Sequence, residues 1–568
     1  MRISRWAAVI FGALTICAAA GFPQANADST VFTRADTLRG SDTPQRSWWD
    51  VSFYDLHVKI SPTDSSISGS NVISYRVLRP PPDNQMQIDL QVPLVIDSVI
   101  QDARPLAARR DGNAFFINLV SPQTVATTRS IAVYYHGKPT VAVRPPWDGG
   151  FVWAVDSVGN RWIATANEGL GASVWWPNKD LLSDEPDSQR IAITVPDSLT
   201  DVSNGRLRKT TTNADSTRTY EWFVANPINN YNVTVNAGRY EHFSDSYDGE
   251  RGRLSLDFWP LAYHADTARK QFRQAKPMLQ CFETWFGPFP WYEDGYKLVE
   301  TPYLGMEHQS AIAYGNRYLN GYLGVDRSRT GHGMQWDYII VHESAHEWFG
   351  NSITMKDAAD MWIHESFATY AEGIYTECQQ GKKAGEEYTV GQRERVRNDE
   401  PIIGVYGVNH EGSSDMYYKG ANMLLTIRQL VDDDARWRGI LRGLGRTFWH
   451  QTVTGKQIED YLAHQSGLQL AKVFDQYLRT VKIPRLEYRL QRRQLTYRWA
   501  NVVPGFAMPV RVTTAPGRFD WIRPTESWKT TRISIASPEN FRVDENFYVF
   551  GIDLLKPATD STSDRIDP

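Results

Sequence analysis

Residues 341–372, VHESAHEWFGNSITMKDAADMWIHESFATYAE, contain the pattern around which the rest of the chain is organised. His342 and His346 are four residues apart, so on a helix both imidazoles lie on one face and can bind one metal ion. Glu343 leans to the same side, where it can act as a general base on water. Glu365, in a second predicted helix, supplies a further carboxylate. Two histidines and a glutamate leave one zinc position open, which is typical of a catalytic site and not of a structural one.

Chance is the alternative explanation for this pattern. A bare HExxH arises in about one chain in a hundred of this length, and the added requirement for Glu365 makes an accident much rarer. We therefore predict one Zn²⁺ per chain, bound by His342, His346 and Glu365. Glu372 follows on the same helix face. It either orients a ligand from behind or is an ordinary helix carboxylate.

The composition limits the function classes. A chain of 568 residues is too long for one domain, and two to four are expected. It is 41% hydrophobic and 22% charged, with a net charge of −4. Because there is no basic excess, we expect no binding to nucleic acid or to an anionic membrane surface.

Residues 1–27 have the pattern of a signal peptide. Basic residues precede an apolar run, and an A-x-A cleavage signal ends at Ala27. Lipidation at Cys17 is less favoured, because Ile16 stands where a small residue is usual. The apolar run is short for a membrane span. We expect a periplasmic or extracellular protein with no transmembrane span after cleavage, and membrane association only if the segment is retained.

Two cysteines, Cys281 and Cys378, follow the signal. Two in a chain of this size are not a disulfide framework, so buried free thiols are favoured over a bridge. The sequon at Asn232 lies in a strand-like run, NYNVTVNAG, where a glycan would be awkward.

Hydrophobic periodicity divides the chain into regions. Alternating runs predict strands at both ends, and helical spacing dominates between them. We predict a multidomain α+β protein with an N-terminal antiparallel β saddle or sandwich at residues 28–248, a mainly helical catalytic domain at 249–482, a small C-terminal β-sandwich at 483–556, and a disordered tail at 557–568. The long loop 161–188 interrupts the first β region, and we expect it to reach into a neighbouring site.

HESAHEWFGNSITMKDAADMWIHESFATY resembles the signature of the gluzincin aminopeptidases, the family of membrane alanyl aminopeptidase and leukotriene hydrolase. Those proteins carry HExxHxWFGN and then W-x-x-E-x-F-A in the same order and spacing. The resemblance covers most of the mature chain. It implies a thermolysin-like catalytic domain between two β domains. We expect no counterpart of the large helical C-terminal domain of many members.

The resemblance also implies roles for residues outside the zinc motif. LGMEH, residues 304–308, stands where the family has GAMEN, so Glu307 would bind the α-amine of the substrate beside Gly305 and Met306. Glu168 would be a second amine-binding group. Tyr417, in YYKGA, matches the tyrosine that stabilises the tetrahedral intermediate, and the spacing favours it over Tyr418. His308, His364, Leu304, Ser366 and Ala166 depart from the family pattern, which leaves the side-chain preference open.

The predicted function is a zinc aminopeptidase that acts on peptides with a free N-terminus. Glu343 would be its general base and Tyr417 would share the oxyanion with zinc. The alternatives are an endopeptidase or an epoxide hydrolase on the same scaffold, and a non-catalytic peptide-binding protein with structural zinc. Glu307 argues against an endopeptidase, because an internal peptide bond offers no ammonium to a buried carboxylate. A structural site would need neither Glu343 nor Tyr417.

Overall fold

The computed structural model describes residues 31–556. The predicted signal peptide, Cys17 and the predicted tail 557–568 lie outside the described residues. The described chain begins with α1 (Arg34–Gly40), which the sequence did not predict. No helix within residues 31–556 combines the length and apolar character that a membrane crossing needs.

The N-terminal region is built from strands whose apolar residues alternate with polar ones. Along the first strand, for example, Leu56, Val58 and Ile60 are buried and Lys59 is exposed. The strands are β1 (Trp49–Ser61), β2 (Ser66–Val77), β3 (Gln85–Asp89), β4 (Val95–Gln101), β5 (Arg104–Leu106), β6 (Ala108–Asp111), β7 (Ala114–Asn118), β8 (Thr128–Gly137), β9 (Gly150–Val155), β10 (Arg161–Ala166), β11 (Ser188–Pro196), β12 (Thr200–Val202), β13 (Arg206–Thr212), β14 (Thr217–Val224) and β15 (Asn236–Gly238).

These strands form three sheets. The largest has the order β13-β14-β11-β1-β2-β8-β4-β5, and the others are β12-β15-β10-β9 and β3-β7-β6. All pairs are antiparallel except β1 with β11, which is parallel. Trp175 and Trp176 are fully buried in the core of this region, so they anchor the loop 161–188 that carries Glu168.

The central region combines a small sheet with helices. Its elements are β16 (Phe243–Gly249), β17 (Gly252–Trp259), α2 (Ala265–Gln271), α3 (Ala275–Phe286), β18 (Tyr296–Glu300), β19 (Gly305–Met306), β20 (Ile312–Tyr314), α4 (Tyr338–Ala345), β21 (Ile353–Met355), α5 (Trp362–Gln380), α6 (Lys382–Gly391), α7 (Tyr418–Val431), α8 (Asp434–Thr447), β22 (Gln451–Val453), α9 (Gly455–Ser466) and α10 (Ala471–Leu478). The sheet order is β16-β17-β18-β20-β19, so β19 is an edge strand. Because β16 pairs with β17, the expected boundary at residues 248/249 falls inside a hairpin of this sheet.

The C-terminal region is again β structure. It contains β23 (Arg485–Gln491), β24 (Gln494–Ala500), β25 (Val510–Ala515), β26 (Arg518–Ile522), β27 (Lys529–Arg532) and β28 (Phe550–Asp553). They form a sheet of order β27-β24-β23-β28 and a β25–β26 hairpin. The region shares one hydrophobic core with the helices of the central region. The predicted multidomain α+β fold class is confirmed.

Two local predictions were wrong. Cys281 on α3 and Cys378 on α5 form a disulfide, with their Cα atoms 6.1 Å apart. The sequence could not show that these helices pack side by side. NYNVTVNAG is a 3₁₀ turn at Asn230–Asn232 followed by the short β15, because side chains take over part of the backbone hydrogen bonding there. The Asn232 side chain is fully buried and donates to Asn351 Oδ1 at 2.8 Å, so it is closed to a glycan in the folded chain.

Candidate active site

Three predicted metal ligands converge between α4 and α5. Nε2 of His342 lies 3.4 Å from Nε2 of His346 and 3.4 Å from Oε2 of Glu365. The distance from His346 Nε2 to Glu365 Oε2 is 3.7 Å. Ligand atoms held tetrahedrally at zinc distances lie about 3.3–3.6 Å apart. Glu365 Oε2 is also buried without a hydrogen-bond partner, so the donor set fits a zinc ion.

Hydrogen bonds behind the two histidines set their orientation. His342 Nδ1 lies 2.8 Å from Oε1 of Glu372, and His346 Nδ1 lies 3.0 Å from the carbonyl oxygen of Phe349. Both acceptors require a proton on Nδ1, which leaves each Nε2 lone pair free for a metal. Glu372 in turn accepts hydrogen bonds from Tyr388 and Gln392, both at 2.7 Å, which the sequence analysis did not single out.

Helix capping fixes α4 in this position. Asp337 is the N-cap, and its Oδ1 accepts from the backbone N–H of Ile339 and Ile340. Its other oxygen accepts from the Tyr314 hydroxyl at 2.7 Å, which ties the helix to β20. The strand β19, which carries Gly305, therefore lies next to the start of the helix.

His342, His346 and Glu365 are called the triad below. Glu343 is buried beside it. A carboxylate oxygen of Glu343, one of Glu307 and a ring nitrogen of His346 lie within 4.8 Å of one another. Burial raises the pKa of Glu343 to about 8, since His342 offsets only part of the desolvation. Gly305 makes room for the group, because a Cβ there would lie 2.7 Å from Glu343 Oε1.

Two further glutamates, Glu168 and Glu307, lie next to the triad and are called the acidic pair below. Glu307 is 3% exposed and follows directly after β19, and Glu168 reaches it from the loop of the N-terminal region. These two carboxylates and a ring nitrogen of His364 lie within 4.8 Å of one another. The pKa of Glu168 is raised well above its usual range by burial and by the charge of Glu307. Within residues 31–556, no lysine or arginine pairs with either carboxylate.

Tyr231 is a further contact of this pair that the sequence analysis missed. Its hydroxyl donates to Oε1 of Glu307 at 3.0 Å. Tyr231 lies in the Asn230–Asn232 turn of the N-terminal region, so both parts of the chain contribute to the pocket. The strand-like interpretation of NYNVTVNAG concealed this residue.

The remaining residues of the LGMEH segment have different surroundings. Met306 is 5% exposed and packs with Ala164 and Ala166 of β10, so its side chain belongs to a small core. The backbone of β19 is the part that faces outward, since the strand lies at a sheet edge. His308 is fully buried, and burial lowers its pKa to about 3.

Tyr417 lies beside His342. Its ring stacks against His342 with centroids 6.1 Å apart. Burial and the charge of Glu365 raise its pKa well above the usual range, so the phenol stays neutral and able to donate. Gly420 allows α7, which follows Tyr417, to pack closely on α5, because a Cβ at Gly420 would collide with Ser366. The hydroxyl of Tyr418, by contrast, accepts a hydrogen bond from Arg327 at 2.5 Å.

In this fold the two histidines of HExxH and a glutamate from the following helix converge. This is the arrangement of metal ligands that characterises the gluzincins. Residues 271–477 match the family described as Peptidase family M1 domain. The match confirms that this stretch resembles the gluzincin aminopeptidases.

Named relatives match about a third of the chain. Aminopeptidase N of Lactobacillus helveticus is 28% identical over 214 residues, which are 34% of this chain and 25% of the relative. Alanine/arginine aminopeptidase of Saccharomyces cerevisiae is 24% identical over 202 residues, 34% of this chain and 23% of the relative. The chain thus spans about a quarter of the length of these relatives.

A solved structure is similar over a larger share of the chain. It is a mutant M1 zinc metallopeptidase from Deinococcus radiodurans bound to a Tyr-Ser-Ala substrate. It is 20% identical to this chain, with a TM-score of 0.64, and the match covers 79% of this chain and 98% of that one. The likeness shows that the fold is shared.

Proposed function

We propose that the protein is a zinc aminopeptidase that removes single residues from the N-terminus of peptides. The observation that carries the proposal is the pair Glu168 and Glu307, two adjoining carboxylates without a cationic partner in the described chain, next to a zinc-type triad. Buried charges are usually neutralised by a partner, and a substrate ammonium would supply it here. A zinc ion between His342, His346 and Glu365 would activate water and polarise the scissile carbonyl.

The other roles follow from position. Glu343 would take the proton of the attacking water and pass it to the leaving amine, since it lies between the triad and the amine pocket. Tyr417 would donate a hydrogen bond to the developing oxyanion. With the ammonium held at Glu307 and Glu168, only the first peptide bond reaches Glu343. The edge strand β19 would pair with the extended substrate backbone.

The test compares aminoacyl amide reporters with the same reporters N-acetylated. We expect hydrolysis of the free-amine set alone, loss of hydrolysis after zinc removal, and its return with added zinc. Glu343→Gln should keep its zinc and lose at least about 10³-fold in kcat, while Glu307→Gln should raise KM mainly for free-amine substrates. Equal rates on acetylated reporters would reject the amine anchor and favour an endopeptidase. Full activity of Glu343→Gln would reject the general base, and zinc binding without hydrolysis of any reporter would favour a binding protein.

Export is proposed on two grounds. Residues 1–27 have the signal pattern, and a disulfide such as Cys281–Cys378 persists mainly in oxidising compartments. Mass spectrometry of the protein recovered from the periplasm or medium should give Asp28 as its first residue. An intact N-terminus in the cytoplasmic fraction would reject the proposal.

A further inference from the structure

Arg327 is a cation without an acidic partner beside the candidate active site. It is partly buried in the loop between β20 and α4, and its Nε is buried without a hydrogen-bond partner. The two most buried arginines of residues 31–556 are neutralised: Arg46 contacts Asp89 at 2.5 Å, and Arg428 contacts Glu377 at 2.7 Å. Arg327 forms no ion pair with a carboxylate of residues 31–556. A charge kept in such a place without a partner points to a ligand of opposite sign.

The surroundings hold this guanidinium in place. Its Cζ lies 4.5 Å from the ring centroid of Tyr322, and it donates to the Tyr418 hydroxyl at 2.5 Å. The backbone is tied as well, since Arg395 donates to the carbonyl oxygen of Arg327 at 2.8 Å. The side chain is therefore preorganised, with hydrogen-bond donors left over after its contact with Tyr418.

Arg327 lies nearer to His342 of the triad, and the acidic pair lies nearer to His346. Tyr322 contacts Tyr338 with ring centroids 5.2 Å apart, and Tyr338 stacks on His342 at the same distance. Tyr417, next to Tyr418 in the chain, also stacks on His342. Glu307, by contrast, clusters with His346. The cation thus marks the His342 side of the cleft, and the acidic pair marks the His346 side.

We propose that Arg327 binds the C-terminal carboxylate of short peptide substrates. The inference rests on the proposed aminopeptidase function and adds a substrate class to it. A peptide held by its ammonium at Glu168 and Glu307 would cross the triad with its scissile bond and extend toward Arg327 on the leaving-group side. Because an extended residue spans about 3.3–3.6 Å, only peptides of a few residues would place both ends at once. A guanidinium suits this task, since its planar donors match a carboxylate.

The experiment uses the full mature protein loaded with zinc and a series of di-, tri- and tetrapeptides, each as the free acid and as the C-terminal amide. The quantity measured is the acid-to-amide ratio of kcat/KM. For the best length we expect wild type to favour the acid by about 10- to 100-fold. Arg327→Gln should bring this ratio close to one, and Arg327→Lys should restore part of it.

Arg329→Gln is the matched control. It removes the same charge two residues away, from a side chain that is 71% exposed and pairs with Glu394. It should keep the wild-type ratio. A wild-type ratio near one at every length would overturn the proposal without any variant, and so would a preference retained in Arg327→Gln. Aminoacyl reporters carry no C-terminal carboxylate, so they test the proposed aminopeptidase function without involving Arg327. Failure to cleave them would reject the proposed function, whereas the acid-to-amide ratio tests Arg327.

Discussion

Oε1 of Glu372 lies 2.8 Å from Nδ1 of His342, on the opposite side of the ring from Glu365. Glu372 is fully buried, and its second oxygen accepts from Tyr388 and Gln392. These three contacts hold the carboxylate in place behind His342, which distinguishes it from an ordinary helix carboxylate.

Glu372→Ala should weaken zinc binding by about 10- to 100-fold, because His342 loses the partner that fixes its tautomer and orientation. Competition with a chelator of known affinity measures the change. Tyr388→Phe keeps the carboxylate but removes one of its donors, so its effect should be smaller. Zinc affinity equal to wild type in Glu372→Ala would leave Glu372 without a role at the metal.

Tyr417→Phe should lower kcat on aminoacyl reporters by about 10²- to 10³-fold, with little change in KM, because the hydroxyl is needed only as charge develops on the oxyanion. Tyr418→Phe is the neighbouring control. Its hydroxyl is already bonded to Arg327, so the loss on these reporters should be far smaller. The reverse order of the two effects would assign the oxyanion role to Tyr418.

Gly305→Ala should reduce kcat at least about tenfold while zinc content stays at wild type. The added Cβ would lie 2.7 Å from Glu343 Oε1 and 3.0 Å from Ile339 Cδ1, so the carboxylate must move. Gly439→Ala on α8 is the control, since nothing lies within 4 Å of the corresponding Cβ. Wild-type kcat in Gly305→Ala would show that Glu343 tolerates displacement.

Local patterns predicted much of this arrangement. The i, i+4 spacing placed His342 and His346 on one face of a helix. Alternation also predicted β1, β2, β8 and β11, because each strand buries one face against a core.

Contacts between distant segments could not be predicted in the same way. Glu168 meets Glu307 only after the N-terminal region packs on the central one. The length of the loop 161–188 suggested that it reaches a neighbouring site, and only the family resemblance suggested which residues meet there. Tyr231 and Arg327 carry no local signal, since each acquires its surroundings from segments far along the chain. The Cys281–Cys378 bridge depends likewise on the packing of α3 against α5.

Removing that disulfide should cost about 3–5 kcal/mol of unfolding free energy, because the bridge closes a loop over a sequence separation of 97 residues. Denaturant unfolding of wild type with and without reductant, and of the double variant Cys281→Ala/Cys378→Ala, measures it. Reductant should shift the wild-type midpoint and leave the double variant unchanged. An unshifted wild type would mean that the bridge does not stabilise the fold.

Lys297 provides a prediction about pH. It is 3% exposed on β18 and donates from Nζ to the carbonyl oxygen of Gly205 at 2.5 Å. Burial lowers its pKa to about 8, although Asp257 and Asp294 oppose the shift. In the unfolded chain its pKa is about 10.4.

Between pH 8 and about 10.4 the unfolded chain thus binds more protons than the native one, so this lysine makes the unfolding free energy rise with pH by up to about 3 kcal/mol. Below pH 8 both states are protonated, and the contribution is constant at its lowest value.

Lys297→Met lacks the group, so the wild type should gain stability relative to this variant between pH 7.5 and 10. Urea unfolding at both pH values measures the difference, and titrations elsewhere in the molecule cancel. A wild-type advantage independent of pH would mean that the native fold accommodates the Lys297 ammonium as well as water does.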